Sequence, residues 1–387
     1  MKRRTFLRTG LALGTLGCLP SALSQAARPS DARLLILIAL KGGNDGFNTL
    51  IPYADPRYSE LRPELAIDRD QVVKLSEQEG LHPQLAPLLS LWEARELAII
   101  RGLGYPDPNL SHFRSMDIWE TASSSDEVLT SGWLDRACVA APRPADASID
   151  AIVVGGDDAG SLMGGQARVI TLANLGQFRR QAQRLGVPPS TLPAQPALRH
   201  VVEVENSIRR AADQMKRGPV LQTAFPDDAL GRSVRTACEV IASRERTGLR
   251  VVHLSLGGFD THIRQAPTQA RLFKSLAAGL PSLRAGLKEL GVWNDSLILT
   301  YSEFGRRPRQ NANGGTDHGT ASVQFALGGR VKGGFQGAAP NLADLDGNGN
   351  PRFTLDFRGL YATVLERWWG IESQAVLGGR FSTLSML

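Results

Sequence analysis

Carboxylate and histidine side chains recur after the aliphatic segments of this 387-residue chain, where those segments give way to loops. Six residues of these types are candidate metal ligands: Asp45, Asp260, His262, Glu303, Asp317 and His318. Carboxylate and imidazole groups together suit a divalent ion such as Zn, Mn or Fe. A bound ion of this kind can polarise a phosphoryl or sulfuryl oxygen and lower the pKa of a bound water or hydroxyl. The sequence therefore predicts a metal-assisted reaction on an anionic ester.

Two further residues complete the predicted site. Ser111 opens a helical pattern, and a serine at a helix N-terminus lies among free N–H groups where an anion is readily held, so it suits the place of a nucleophile. Arg306 would neutralise the substrate anion. Each residue also has a simpler interpretation, with Ser111 as a plain helix cap, Asp45 as a turn aspartate and Arg306 as half of a solvated pair with Arg307. Their shared position after predicted strands favours a common site.

Three of the six histidines, His112, His262 and His318, lie in these segments. The other three have structural interpretations: His82 before a proline at a helix entry, His253 packed inside a strand, and His200 on the surface. The histidines are therefore concentrated where the metal ligands are expected.

The segments that position these residues alternate between strand and helix patterns. A continuous aliphatic run over 34–40, ended by glycine, is typical of a strand buried on both faces of a parallel sheet. Further strands are predicted at 97–100, 152–154, 169–172, 251–256, 297–300 and 323–327, and helices at 82–94, from 111, at 269–290 and at 360–369. This alternation predicts an α/β fold, a three-layer α/β/α sandwich with a mostly parallel sheet. Ligands of such folds bind outside the carboxyl ends of the strands, where the candidate residues lie.

Residues 27–387 are predicted to form one domain with a helical insertion. The region from about 175 to 246 is helical, charged and interrupted by prolines, and we interpret it as an insertion or lid. Cys138 and Cys238 lie in helix-like runs and are expected to be buried as small apolar residues.

The first 26 residues have the pattern of a cleavable twin-arginine signal. A charged start that contains Arg3-Arg4 and Phe6-Leu7 precedes an apolar run over 9–23 and small residues at 24–26. The apolar run is shorter than the ~20 residues that span a bilayer. We therefore predict a twin-arginine translocase as partner during export, and a periplasmic or secreted location. A lipoprotein signal at Cys18 matches the sequence less well.

The charge balance argues against a nucleic-acid partner. The formal net charge is +6, but the first 26 residues carry four basic and no acidic residues, which leaves about +2 on the remainder. No basic stripe of the kind that binds nucleic acid is present. No later stretch is apolar enough to predict a stable membrane span.

Five motifs together resemble a known family. They are Leu40-Lys41-Gly42-Gly43-Asn44-Asp45-Gly46-Phe47-Asn48, Leu110-Ser111-His112-Phe113, Gly257-Gly258-Phe259-Asp260-Thr261-His262, Ser302-Glu303-Phe304-Gly305-Arg306 and Gly315-Thr316-Asp317-His318-Gly319. The chain resembles a bacterial family of twin-arginine-exported proteins known as domain of unknown function 1501, within the alkaline phosphatase–sulfatase superfamily. The resemblance covers about residues 34–369.

The resemblance implies roles for the motif residues. Asp45 would be a metal ligand after the first strand, and Ser111 the helix-capping nucleophile. Asp260 and His262 would serve one metal, and the pair Asp317-His318 the other. Two departures stand out, because no histidine follows His318 and because Asp260 and His262 are closer together than in the superfamily pattern. One metal site would then be incomplete, filled by another ligand such as Glu303, or lost.

These inferences predict an exported metal-dependent hydrolase of phosphate or sulfate esters. It would use one or two divalent ions (Zn, Mn, Fe or Ca) and act on an anionic ester or glycan. The alternative is a catalytically degenerate relative that binds or scaffolds in the periplasm, an interpretation that the missing late histidine motivates. A redox enzyme has little support, since the sequence shows no dinucleotide fingerprint or cysteine motif.

Overall fold

The computed structural model describes residues 33–141, 147–155, 159–186, 191, 193–215 and 218–387. Its strands are β1 (Leu34–Lys41), β2 (Leu50–Ile51), β3 (Val73–Lys74), β4 (Gly80–Leu81), β5 (Leu97–Gly104), β6 (Ala151–Val154), β7 (Val169–Leu172), β8 (Val251–Gly257), β9 (Ser296–Tyr301), β10 (Gly305–Gln310), β11 (Thr316–Gly319), β12 (Ser322–Leu327), β13 (Gly334–Gln336) and β14 (Leu355–Asp356). The predicted signal, residues 1–26, lies outside the described residues.

The α-helices are α1 (Gly46–Thr49), α2 (Pro56–Leu61), α3 (Leu89–Glu93), α4 (His112–Thr121), α5 (Trp133–Ala140), α6 (Leu175–Ala182), α7 (Pro196–Gln214), α8 (Ala229–Ile241), α9 (Arg244–Thr247), α10 (Gln265–Glu289), α11 (Phe357–Thr363) and α12 (Ser373–Leu377). Short 3₁₀-helices lie at Pro83–Leu88, Gly160–Leu162 and Trp293–Asp295, and a π-helical turn at Val364–Trp369 follows α11. None of the described helices has both the length and the apolar character to cross a membrane.

A nine-stranded sheet forms the centre of the molecule, in the order β13–β5–β12–β9–β1–β8–β6–β7, with β14 also beside β5. Strand β1 pairs in parallel with both β8 and β9. Strand β12 alone in this sheet runs antiparallel, to β9 on one side and β5 on the other. The carboxyl ends of β1, β5, β8 and β9 therefore meet at one edge, together with the beginning of β12.

Helices cover both faces of this sheet because β1 alternates its side chains between two apolar cores. Leu34, Ile36 and Ile38 pack with α8 and α10 in one core. Leu35 and Leu37 pack in the other, with α4, α5 and α11. This arrangement confirms the predicted three-layer α/β/α fold with a mostly parallel sheet. Cys138 and Cys238 are both buried, as predicted.

Each predicted strand is present, and the differences concern helices and short strands. The helix predicted over 82–94 is divided into a 3₁₀-helix and α3, since Pro87 supplies no N–H to the helix. The predicted C-terminal helix continues into a π-helical turn. The β10–β11 hairpin was not predicted, because its polar sequence shows no apolar alternation.

The region predicted as a helical insertion contains α6, α7, α8 and α9. Helix α8 belongs to the main core and contributes Val234 and Cys238 to the apolar cluster around α10. Helix α7 is mostly exposed, with Val202 and Ala211 as its buried residues. The boundaries of an insertion stay a prediction.

Candidate metal centre

Four segments bring histidines and carboxylates to the carboxyl edge of the sheet. Asp260 and His262 lie in the loop after β8. Glu303 follows β9, and His112 begins α4 after β5. His318 lies in β11, which precedes the reversed strand β12 and so reaches the same edge. Residues from distant parts of the chain therefore meet in one cluster.

Three imidazoles converge on the carboxylate of Asp260. The Nε2 atom of His112 lies 3.3 Å from Asp260 Oδ2. The Nε2 atoms of His318 and His262 lie 3.2 and 3.0 Å from Asp260 Oδ1 and 2.9 Å from each other. Among the described residues, His112, Asp260 and His318 each place a ligand atom within 4.8 Å of the other two.

The opposite nitrogen of each imidazole faces an oxygen atom. His112 Nδ1 lies 2.9 Å from Glu303 Oε1, and His318 Nδ1 lies 2.7 Å from the carbonyl oxygen of Leu110. His262 Nδ1 lies 3.6 Å from Asp317 Oδ1, which is long for a hydrogen bond. For His112 and His318, an oxygen at hydrogen-bonding distance from Nδ1 favours the tautomer that leaves the Nε2 lone pair free, as in histidines that bind metals.

The Arg306 side chain holds Asp260 in place from inside the protein. It is fully buried, and its Nη2 donates to Asp260 Oδ1 over 2.8 Å. Its other hydrogen bonds go to the carbonyl oxygens of Gly42, Gly43, Phe259 and Thr316. The predicted role of neutralising a substrate anion therefore does not fit its position, because the guanidinium is enclosed and its donors are engaged.

Asp45 does not reach the cluster, contrary to the predicted role as ligand. It is buried and forms an ion pair with the buried Arg62, whose Nη2 donates to Asp45 Oδ1 over 2.9 Å. Its oxygens also accept from the Phe47 backbone N–H and the Gln265 amide, at 3.1 and 2.5 Å. A carboxylate with these partners has its lone pairs occupied, so it is a structural ion pair.

Glu303 and Asp317 lie behind the imidazoles. Glu303 is 2% exposed and also accepts from the Gly42 backbone N–H at 2.8 Å, so it orients His112. Asp317 is 51% exposed and accepts from the Asn311 amide at 3.2 Å. The geometry gives both carboxylates a supporting position, where the sequence had indicated ligands.

Ser111 lies at the rim of the cluster, one residue before His112. It is exposed and occupies the N-cap position of α4. Among the described residues, its side chain makes no capping hydrogen bond to that helix. The simple interpretation as a side-chain cap is therefore not realised in the structure.

Close packing leaves no room for a side chain at two glycines, Gly42 and Gly43, in the loop that follows β1. A Cβ atom on Gly42, which has φ of +117°, would lie 2.3 Å from the Asp260 backbone nitrogen. A Cβ atom on Gly43 would lie 2.2 Å from the ring of Phe304. That ring, 4% exposed, packs against His318 and His112 with centroids 4.4 and 5.0 Å apart and forms the floor of the cluster.

The electrostatics favour ionised Asp260 and neutral His318. Partial burial would raise the pKa of Asp260, but the hydrogen bond from Arg306, the contact with His318 and the charge of Arg306 outweigh it and lower the pKa to about 2. Burial lowers the pKa of His318. The hydrogen bond to Glu303 instead raises the pKa of His112. Since metal ligands must be deprotonated, Asp260 and His318 are already in their binding state at neutral pH.

The donor set fits a transition-metal ion. Ligands at the usual Zn–N and Zn–O distances in a tetrahedron lie about 3.3 Å apart, and the Nε2 atoms of His112 and His318 lie 3.3 and 3.2 Å from the carboxylate of Asp260. Imidazole suits Zn or Fe, whereas Ca²⁺ takes six to eight oxygen ligands. The residues present therefore suit Zn or a similar ion better than Ca²⁺.

The sequence had indicated part of this cluster. Asp260, His262 and His318 were predicted as ligands, and the structure brings them together. The sequence pattern does not predict His112 as a ligand; the available signal is a histidine directly after the candidate nucleophile. His82 and His253 lie elsewhere, His82 as the N-cap of a 3₁₀-helix and His253 bonded to Tyr301.

The fold and the cluster define the class of protein: a three-layer α/β/α protein with a histidine–carboxylate centre at the carboxyl edge of its sheet. The chain belongs to the family described as "Protein of unknown function (DUF1501)", whose profile matches residues 98–379. That range contains every member of the cluster and excludes β1 and the loop that bears Asp45. No curated protein matches the sequence.

Solved structures of similar shape include sulfatases and a phosphatase. The PsFucS1 sulfatase from Pseudoalteromonas sp. has a TM-score of 0.41 and 11% identity, over 91% of this chain and 70% of that one. A structure concerned with glycosaminoglycan metabolism by Bacteroides thetaiotaomicron has a TM-score of 0.41 and 10% identity, over 90% and 75%. A mutant of TAB5 alkaline phosphatase with Mg bound has a TM-score of 0.34 and 9% identity, over 78% of this chain and 94% of that one. These values carry no assignment of activity.

Proposed function

We propose that this protein binds one divalent transition-metal ion through His112, Asp260, His262 and His318 and hydrolyses a phosphate or sulfate ester. One observation carries the proposal: three Nε2 atoms point at a single carboxylate while each Nδ1 faces an oxygen. A chance cluster of surface histidines has no reason to share this orientation. Histidines that bind metals have it, because the outer hydrogen bond sets the tautomer and the ring direction.

The geometry supports a single ion. Asp45, which the superfamily pattern would give to a second site, is enclosed with the Arg62 guanidinium and the Gln265 amide. Glu303 and Asp317 face the outer nitrogens of His112 and His262. The remaining donors form one group around Asp260, and a second ion would lack ligands.

A bound ion of this type polarises an ester oxygen and lowers the pKa of a bound water or hydroxyl. The residues of the chain prepare the site for that chemistry. Arg306 keeps Asp260 ionised, and Glu303 fixes the ring of His112. Ser111 places an exposed hydroxyl next to His112 at the N-terminus of α4, where free N–H groups favour an incoming anion. We assign it as the nucleophile.

The metal content of the purified protein tests the proposal. About one equivalent of a transition metal is expected in the wild type, and Asp260→Ala and His318→Ala are expected to lose it. His200→Ala, on the exposed surface of α7, is the matched control and should retain it. Absence of metal after reconstitution with Zn, Mn and Fe, or equal metal in all four proteins, would contradict the site.

Measurement of ester hydrolysis distinguishes a metal-binding protein from a metal-dependent hydrolase. Aryl phosphates, phosphodiesters and aryl sulfates are suitable substrates for a first screen of the metal-loaded protein. Ser111→Ala should keep its metal and lose turnover, by 10²-fold or more if the hydroxyl is the nucleophile, since covalent catalysis then has no attacking group. Metal binding without hydrolysis of any of these esters would favour the binding or scaffolding alternative.

We also propose export by the twin-arginine route, on the basis of Arg3-Arg4, Phe6-Leu7 and the short apolar run that follows. Conservative replacement of Arg3 and Arg4 by lysine keeps the charge and removes the arginine pair. The variant should stay in the cytoplasmic fraction, whereas the wild type should reach the periplasm or medium in a shorter form. Equal export of the two proteins would exclude this route.

A further inference from the structure

The turn between β10 and β11, residues 311–315, packs against the loop at 258–264 that bears two of the proposed metal ligands. Three backbone hydrogen bonds join the two segments and their flanks: Thr316 N–H to Thr261 O at 3.2 Å, Arg264 N–H to Asn313 O at 3.1 Å, and Gln265 N–H to Gly314 O at 2.8 Å. A Cβ atom on Gly315 would lie 2.3 Å from the carbonyl carbon of His262, so the two main chains touch there. The turn therefore bounds the position of the loop. Residues 311–315 are called the hairpin turn below.

The side chain of Asn311 uses both ends of its amide within this contact. Its Oδ1 accepts from the backbone N–H groups of Asn313 and Gly315, over 2.9 and 3.1 Å, and so closes the hairpin turn. Its Nδ2 donates over 2.9 Å to the carbonyl oxygen of His262 and over 3.2 Å to Oδ1 of Asp317. One half-buried side chain therefore joins the hairpin turn, the loop and a carboxylate behind the metal centre.

The four partners of Asn311 require a carboxamide. Backbone N–H groups only donate, whereas a carbonyl oxygen and an ionised carboxylate only accept, so the neighbours fix the orientation of the amide. Aspartate at this position would have the same shape and would still close the turn, since both residue types accept from backbone N–H groups further along the chain. It could not donate, and its second oxygen would face the oxygens of His262 and Asp317. The two donor bonds therefore serve the metal centre and are not needed by the turn itself.

His262 is the histidine of the cluster with the least support behind its ring. Its Nδ1 lies 3.6 Å from Asp317, whereas the Nδ1 atoms of His112 and His318 have oxygens at 2.9 and 2.7 Å. Asn311 contacts both sides of this long separation, the main chain of His262 and the carboxylate of Asp317. Its two donor bonds therefore hold the pair in place where the direct contact is too long for a hydrogen bond.

We propose that Asn311 is a positioning residue of the metal centre, which acts through His262 and does not touch the ion. The inference rests on the proposed function and adds a residue outside the ligand set to the same site. Without the donor bonds of Asn311, the loop loses a side-chain anchor, and His262 no longer faces Asp260 in a fixed orientation. The centre then binds its ion through the other three ligands and does so more weakly.

Metal affinity measured by chelator competition tests the inference on the purified protein. Asn311→Ala removes all four hydrogen bonds, whereas Asn311→Asp keeps the two acceptor bonds of the turn and removes the two donor bonds. Both variants should bind metal at least about 10-fold more weakly than the wild type, as loss of an outer hydrogen-bond partner does at metal sites. Asn313→Ala, at an exposed position of the same turn, is the matched control and should bind metal like the wild type.

A double-mutant cycle with His262→Ala separates positioning from general stabilisation. In the His262→Ala background, Asn311→Asp should weaken metal binding no further, because the residue through which it acts is absent. A substitution that only destabilises the turn would weaken binding equally in both backgrounds. Cobalt substitution gives a second measurement, since the visible absorption of bound Co²⁺ changes when an imidazole ligand is lost. The spectrum of Asn311→Asp should shift toward that of His262→Ala, and the spectrum of Asn313→Ala should not.

Hydrogen exchange of the metal-free protein gives a readout that needs no ion. The N–H groups of Arg264, Gln265 and Thr316, which donate between the two segments, should exchange faster in Asn311→Asp than in the wild type. Wild-type metal affinity or wild-type exchange in folded Asn311→Asp, or an equal loss of affinity in both backgrounds, would overturn the positioning role and leave the metal-dependent function standing. A wild type that binds no metal would overturn the proposed function and this inference together.

Discussion

The fully buried guanidinium of Arg306 donates over 2.8 Å to the carboxylate of Asp260, which is 46% exposed. Asp260 is thus fixed from behind while its surface toward the solvent stays open to His112, His262 and His318. This contact between an interior and a surface group therefore fixes the carboxylate around which the imidazoles lie.

Replacement of Arg306 by lysine tests this relationship. Lysine keeps the charge but cannot donate to five acceptors at once, so buried carbonyl oxygens lose their partners. We expect a loss of about 2–4 kcal/mol in the free energy of unfolding and a 10- to 100-fold weaker affinity for metal. Denaturant unfolding and metal titration measure the two effects. Arg309→Lys, at an exposed position of the same strand β10, should change neither; unchanged metal affinity in Arg306→Lys would contradict the positioning role.

Replacement of Asp45 by asparagine separates the structural ion pair from the metal centre. It leaves the Arg62 charge buried without its partner, which should cost about 3–5 kcal/mol of stability. The metal content of the folded variant should stay at one equivalent. Asp55→Asn breaks the more exposed pair with Arg57 and should cost less than about 1 kcal/mol. Loss of metal from folded Asp45→Asn would mean that Asp45 is a ligand after all.

Glu303→Gln and Asp317→Asn should weaken metal binding by different amounts. Glu303 is buried and lies 2.9 Å from His112, whereas Asp317 is half exposed and lies 3.6 Å from His262. Removal of a buried carboxylate behind a ligand histidine costs 10- to 100-fold in affinity, and the exposed carboxylate should cost less. Competition with a fluorescent chelator gives both affinities. An equal or larger effect at Asp317 would show that it binds the ion directly.

The stability of the protein should fall between pH 6.5 and 4 in part because of His82. Burial lowers the pKa of this histidine to about 4, although the Asp45 charge opposes the shift. In the unfolded chain the His82 imidazole has a pKa of about 6.5, so it takes up a proton in this pH range while the folded protein does not. The free energy of unfolding therefore decreases by up to about 3 kcal/mol. Above pH 6.5 the residue contributes no pH dependence.

His82→Asn tests this effect because asparagine can still accept from the Gln84 backbone N–H, which His82 Nδ1 does at 3.0 Å. The variant should have a flatter stability curve between pH 4 and 6.5 than the wild type. His200→Asn, at an exposed position, should reproduce the wild-type curve. Parallel curves for His82→Asn and wild type would show that the ionisation of His82 does not contribute.

The sheet could be predicted because its central strands are mainly aliphatic runs, of which β1 and β8 lead into glycines. The run now seen as β1 is aliphatic up to its last residue, and β8 and β9 are mainly aliphatic with a few polar residues; burial on both faces favours this composition. The antiparallel direction of β12 could not be predicted in the same way, because it depends on the hairpin before it. That hairpin, β10–β11, is held by hydrogen bonds of a polar sequence, which leaves no periodic signal.

The residue types of the candidate site could be predicted from the sequence, but the partner of each carboxylate could not. Asp260, His262 and His318 follow from their position after strands. The exclusion of Asp45 depends on Arg62, which lies 17 residues further along in a segment without strand or helix periodicity. Which carboxylate faces a metal and which faces a guanidinium is decided by tertiary packing, and a local pattern contains no information about it.

The hydrogen bonds of Arg306 also bear on how this family can diversify. Four of its five acceptors are main-chain carbonyl oxygens, so the guanidinium recognises the path of the loops and, apart from Asp260, is indifferent to their side chains. Exposed positions such as Phe113 and Ile263 take no part in these hydrogen bonds, so their side chains can be replaced without loss of the contacts that hold Asp260. For the same reason, a library randomised at these two positions is expected to retain the fold and the arrangement of the imidazoles.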